Sequence, residues 1–127
     1  MRHSHTVWRL AIVNEVADDV SIVTASGRLG AAAAGQWKEG LARVAGERKI
    51  LLDLGGVDYA CSAAIVALTT FLDRREGQNN RVVACGLGDA VRLTFDLAGL
   101  LSRLTVAPTR AAALTLLSEP GDPTKPL

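Results

Sequence analysis

Residues 49–56, KILLDLGG, place apolar side chains at Ile50, Leu51, Leu52 and Leu54 with no alternation. A strand with one wet face alternates apolar and polar residues, whereas a continuous apolar run needs cover on both faces. Residues 81–87, RVVACGL, repeat the pattern. Two such strands in 127 residues ask for packed α/β layers in a single domain. Hydrophobic residues make up 49% of the chain but aromatics only 4%. The core must therefore be built from Leu, Val, Ile and Ala, and a chain of this length can bury one without disulfides or metals.

The flanking segments supply the remaining elements. Trp8–Val16 alternates roughly and reads as a strand. Asp18-Asp19 reads as a turn, and Val20–Leu29 as a second strand, antiparallel to the first because the turn is too short for a crossover. Ala34, Trp37, Leu41, Val44 and Ala45 share one face of a helix, with Gly46 as its stop. A second helix is expected from about Ser62 to Glu76, with Ile65, Leu68 and Leu72 buried and Gly77 at its end. Asp89 is expected to cap a third helix containing Val91, Phe95 and Ala98. LTVAPT is a last short strand, and Thr109 can cap the final helix, RAAALTLLS. The order β-β-α-β-α-β-α-β-α predicts a mixed, mostly parallel sheet of about five strands with four helices and right-handed crossovers. Residues 1–6 and 119–127 are expected to be flexible ends around a domain at 7–118; the tail EPGDPTKPL is polar and rich in proline.

Several function classes find no support. Fourteen basic and 13 acidic residues give a net charge of +1, so no electrostatic bias points to nucleic acid or to an anionic membrane. No apolar run approaches the length of a membrane span, and MRHSHTVWRL lacks the apolar centre of a signal peptide, so a cytoplasmic protein is expected. Cys61 and Cys85 match no zinc spacing, and His3 and His5 stand at the terminus without further ligands nearby. No metal and no cofactor are expected. No serine or cysteine has a histidine base placed to activate it, so no enzyme is expected.

The stretch from Asp53 onward carries a resemblance. The third strand and its sequel, LLDLGGVDYACSAAIVAL, together with GRLG at Gly27–Gly30 and the closing LTVAPTRAAALTLL, resemble the STAS domain of bacterial anti-sigma factor antagonists. The family pattern runs roughly Asp-Leu-Ser-x-Val, an aromatic or aliphatic pair, then Asp-Ser-Ser/Thr-Gly and an apolar helix. Asp53, Leu54 and Val57 keep their places in it. The resemblance implies a protein-binding switch, in which a kinase that is also the anti-sigma factor phosphorylates the second hydroxyl and so controls binding. A phosphate there would add about −1.5 to −2 charges beside unpaired helix amides. Aligned on Val57, however, Cys61 stands at the family's Asp, Ser62 at its first Ser, Ala63 at the phospho-acceptor and Ala64 at the Gly. Gly30 stands where a second characteristic Asp would lie. The position survives, but its acceptor hydroxyl does not.

The implied partner surface is the segment Tyr59–Ala64, the first turns of the helix after it (Ile65, Val66, Thr69) and the Gly27–Gly30 turn. The implied partner is a serine-kinase-type anti-sigma factor or another protein of a STAS assembly, and a homodimer stays open. Two alternatives remain. One is a scaffold subunit of a stressosome or lipid-transport complex. The other is a nucleotide- or small-ligand-binding module, which would need a deep pocket lined by Arg or Lys beside Ser62. Ser62 itself reads either as an N-cap or as a displaced phospho-acceptor. Cys61 reads as a small apolar filler or as a thiol activated by the helix terminus, and it could approach Cys85. Asp53 is read as structural, accepting amides from the loop at Gly55–Asp58. Gly55-Gly56 lacks the continuation of a phosphate loop. DRREG, residues 73–77, reads as a solvated last turn, and Trp37 as packing or as an exposed edge for a partner.

Overall fold

Ile50, Leu51 and Leu52 are each fully buried in the computed structural model, which describes residues 10–75 and 81–118. Strand β3 (Lys49–Ala60) is central, with order β1-β2-β3-β4-β5 across the sheet. Strands β1 (Ala11–Ala17) and β2 (Val20–Leu29) form an antiparallel hairpin; β3, β4 (Arg81–Cys85) and β5 (Thr105–Ala107) then run parallel to β2. Three helices connect them, α1 (Ala34–Ala42), α2 (Ser62–Arg75) and α3 (Asp89–Leu97), and a fourth, α4 (Arg110–Ser118), follows β5.

Successive residues of β3 serve opposite cores. Ile50, Leu52 and Leu54 join Val23, Ala25 and Ala84 beneath α1, α2 and α3. Leu51 joins Val20, Ile22, Val83 and Cys85 against Ala113 and Leu117 of α4. That two-sided cover is the physical reason for the unbroken apolar runs.

Several boundaries differ from expectation. Among the described residues β1 begins at Ala11; Trp8 and the expected flexible ends lie outside them, as do Glu76, Gly77, His3 and His5. Strand β3 does not stop at Gly56 but pairs on to Ala60, with register shifts opposite Thr24–Ser26 and Gly27–Arg28. Gly56 is needed there because a Cβ would lie 2.7 Å from that of Ser26. Helix α1 ends at Ala42, so Val44 is buried from a turn and Ala45 is exposed; Gly46 does not adopt the left-handed stop conformation. Gly88, not Asp89, holds the N-cap of α3, and Ala98 is exposed beyond its end. Thr109 does cap α4, accepting from Ala112 N at 3.1 Å.

The last turn of α2 is not simply solvated. Asp73 and Arg74 are exposed, but Arg75 is buried. Its guanidinium donates to the carbonyls of Ala45 and Glu47, each at 2.7 Å. Trp37 has no exposed edge: it is 1% exposed and donates Nε1–H to Ala64 O at 3.1 Å. These two ends fix α1 and α2 side by side and parallel. Among the described residues no helix is long and apolar enough to cross a membrane.

Candidate functional site

The joint between β3 and α2 lies at the sheet's rim, beside the end of β2. Cys61 N donates to Leu29 O at 2.9 Å, holding the joint against Gly30, whose backbone is extended. Ile65 N donates to Cys61 O at 3.1 Å, so Cys61 occupies the capping position and Ser62 is the first helical residue. This corrects the capping reading of Ser62: its side chain is exposed and has no hydrogen-bond partner among the described residues.

The side chains around the joint divide by exposure. Tyr59, Ser62, Ala63 and Val66 face solvent, Val66 at 62%. Gly30, Cys61, Ile65 and Thr69 are half-buried. Ala64 belongs to the core beneath Trp37, not to the surface expected of it. Thr69 turns its hydroxyl onto its own helix, donating to Ile65 O at 2.8 Å. Tyr59 lies under Arg28, whose guanidinium carbon sits 4.1 Å from the ring centroid. Between Asp58 and Asp73 the chain carries no charged side chain. The segment itself is therefore neutral and mostly apolar at the positive end of a helix dipole, with the Arg28 cation beside it over Tyr59.

A second polar cluster lies on the α4 face, and sequence reasoning saw only half of it. Asp53 accepts from Gly55 N at 3.0 Å, as a structural carboxylate should. It also accepts from Arg110 Nε at 2.8 Å. Arg110 donates further to Thr24 Oγ1 at 2.6 Å and stands 3.6 Å from a Glu15 carboxylate oxygen. One arginine thus ties α4 to β1, β2 and β3. Its signal in the sequence was a cation in the first turn of a helix, where the dipole disfavours it; such a residue needs a carboxylate from elsewhere.

Burial acts against the Asp53 charge, but the hydrogen bonds from Arg110 and Gly55 outweigh it and pull the carboxyl below its ordinary 3.8. A depressed carboxyl contributes stability that is present above the unfolded value and lost as pH falls through the folded one. Asp53→Asn should therefore lose about 0.5–1 kcal/mol at neutral pH, in line with a partly exposed pair. It should also flatten the loss of stability expected of the parent as pH falls past the ordinary carboxyl value of 3.8. Denaturation midpoints followed from about pH 7 to pH 2 would reveal both effects.

Cys85 lies beside Asp53 in register. Burial, and then the Asp53 charge, push its thiol up to about 11, so it stays protonated. It faces the α4 core, whereas Cys61 packs against the opposite one, eight residues after Asp53 and just past the end of β3. The two thiols do not approach each other. Among the described residues no cluster of His, Cys, Asp and Glu could hold a metal ion.

A mixed five-stranded sheet, three helices on one face and one on the other, and a helix N-terminus presented at the rim define a small α/β fold. The chain belongs to the STAS domain family, whose model matches residues 11–113. The protein BtrV of Bordetella bronchiseptica, which carries the name of an anti-sigma factor antagonist, is 37% identical over 68 residues. That match covers 54% of this chain and 59% of BtrV, so the chain spans less than two thirds of this relative. An anti-sigma factor antagonist from Mycobacterium paratuberculosis superposes with a TM-score of 0.80 at 23% identity, covering 87% of this chain and 96% of that one. The antagonist SpoIIAA in its unphosphorylated form superposes at 0.71 with 16% identity, covering 84% and 95%.

Proposed function

We propose that this domain is a non-enzymatic, protein-binding regulator of the anti-sigma-antagonist type, held permanently in the unphosphorylated form. The observation that carries the reading is Ala63: it is exposed and has no hydroxyl, at the position that the resemblance aligns with the family's acceptor. The neutral stretch from Tyr59 to Leu72 supports the same reading, since it presents to a partner what an unmodified relative would present. The partner is a serine-kinase-type anti-sigma protein in the cytoplasm, meeting the exposed Tyr59, Ser62, Ala63 and Val66 with Gly30, Cys61, Ile65 and Thr69 beside them. The domain that carries this function is residues 7–118. The segment from Tyr59 to Leu72 offers a nucleotide's phosphates no cation of its own, and the Arg28 cation at the joint is stacked on the Tyr59 ring.

Ala63→Glu tests the reading. A carboxylate in the first helical turn is favourable to the dipole by roughly 0.3–1 kcal/mol, so the domain stays folded or gains slightly. Affinity for the partner falls at least about tenfold, because a charge left unpaired in a desolvated interface is costly. Thermal denaturation and titration calorimetry on the same samples separate the two effects. A folded Ala63→Glu protein with unaltered affinity would move the contact elsewhere and favour the scaffold alternative.

A further inference from the structure

Strand β1 lies at an edge of the sheet, and its outer side is open. The two-residue turn at Asp18-Asp19 makes Ala17 and Val20 a hydrogen-bonded pair, so Ala11, Val13, Glu15 and Ala17 turn their backbone groups toward β2. Ile12, Asn14 and Val16 turn theirs outward, where the N–H and C=O groups meet no partner among the described residues. Exposed edges are commonly protected by proline, lysine or a bulge. AIVNEVA has none of these: its register with β2 is unbroken, and its one charge, Glu15, stands 3.6 Å from Arg110. Val13 and Val16 are exposed as well, at 52% and 71%.

This edge is complementary to itself. An antiparallel pair centred on Asn14 sets Asn14 opposite Asn14 of a second copy, and Ile12 of each copy opposite Val16 of the other, so all three outward residues bond. Val16 gains an apolar cross-strand neighbour in Ile12, which already packs against the core. Centring on Glu15 would instead oppose like charges.

Helix α1 carries a matching charge pattern beside the edge. Gln36 donates to Leu10 O at 3.2 Å, and Asn14 Nδ2 donates to Gly40 O at 3.4 Å, so α1 runs along β1 in the same direction. Gln36, Glu39, Gly40 and Arg43 follow the spacing of one helix face, the one next to β1. Glu39 and Arg43 are exposed and join no ion pair among the described residues. They bracket Gly40, which lies over Asn14, so a two-fold axis there brings Glu39 of each copy toward Arg43 of the other.

We infer that the chain pairs with a second copy of itself, β1 against β1 about a two-fold axis at Asn14, with reciprocal Glu39–Arg43 contacts between the two α1 helices. The edge lies across α1 from α2, so this interface goes beyond the partner-binding reading and stands without it.

Sedimentation velocity on the full chain over a series of concentrations, with amide hydrogen exchange on the same samples, tests the proposal. The expected result is a reversible monomer–dimer equilibrium in which the amides of Ile12, Asn14 and Val16 become protected as dimer accumulates. Arg43→Glu sets like charges across the axis twice and should raise the dimer Kd about tenfold or more. Adding Glu39→Arg to that variant restores opposite charges and should restore the dimer. Both positions are exposed, so the variants fold. A monomer at every concentration, a dimer that leaves those three amides unprotected, a Kd unaltered by Arg43→Glu, or no recovery in the charge-swapped variant would overturn the proposal.

Discussion

Trp37→Ala should lower stability by about 3–5 kcal/mol, a large part of what a domain of this size possesses. The side chain is among the largest that are fully buried, and it fills the space between α1 and the start of α2. Truncation leaves a cavity and removes the hydrogen bond to Ala64 O, 3.1 Å from Nε1. Trp37→Phe isolates the second effect: it keeps most of the ring volume and should cost about 1 kcal/mol beyond a small packing loss. Urea denaturation should show a lower midpoint with an unchanged slope for both variants. The bond also pins the first turn of α2, which carries Ser62 and Ala63, so Trp37→Phe should speed amide exchange there more than in β3. Similar costs for the two variants would mean that the cavity matters little.

Gly86→Ala should cost about 3 kcal/mol, from two separate sources. Gly86 has φ +76°, a conformation that an L side chain adopts at roughly 1–2 kcal/mol. A Cβ there would also lie 2.7 Å from Gly55 Cα and 2.9 Å from Gly55 N. Backbone cannot rotate aside as a side chain can, so the turn carrying Asp53 and Gly55 must shift, at roughly 1–3 kcal/mol. Gly99 supplies the control: its φ is +77°, but a Cβ would meet nothing within 4 Å. Gly99→Ala should therefore show the conformational cost alone. Equal losses for the two variants in the same denaturation series would show that the close approach of Gly86 to Gly55 has no energetic weight.

This pair of glycines shows where sequence reading runs out. Gly55-Gly56 reads as the end of a strand, because glycine is a poor strand former. In the fold each glycine answers a neighbour remote in sequence: Gly55 lies against Gly86, and Gly56 against Ser26. Strand β3 therefore continues to Ala60. The elements that were legible were those with a local cause. The apolar runs at 50–54 and 82–85 declared a doubly covered sheet, and Thr109 declared the start of α4. Arg75 was illegible because a cation in the last turn of a helix normally meets water; only the path of the chain after α1 places two carbonyls over it. Arg110 was hidden for the same reason, its three partners lying 57 to 95 positions earlier in the chain. At the joint, the sequence located the strand-to-helix passage but not the exposure of its members, so Ala64 and the cap at Cys61 emerge only from the packing of Trp37 and Leu29.

Incubation of the chain with ATP and the serine-kinase-type anti-sigma protein that binds it, followed by intact-mass spectrometry and an affinity measurement on the same sample, tests the permanently unphosphorylated state most directly. The expected result is no added phosphate and a complex that survives ATP. Stoichiometric phosphate on Ser62, with loss of the complex, would contradict it and restore a switch displaced by one residue.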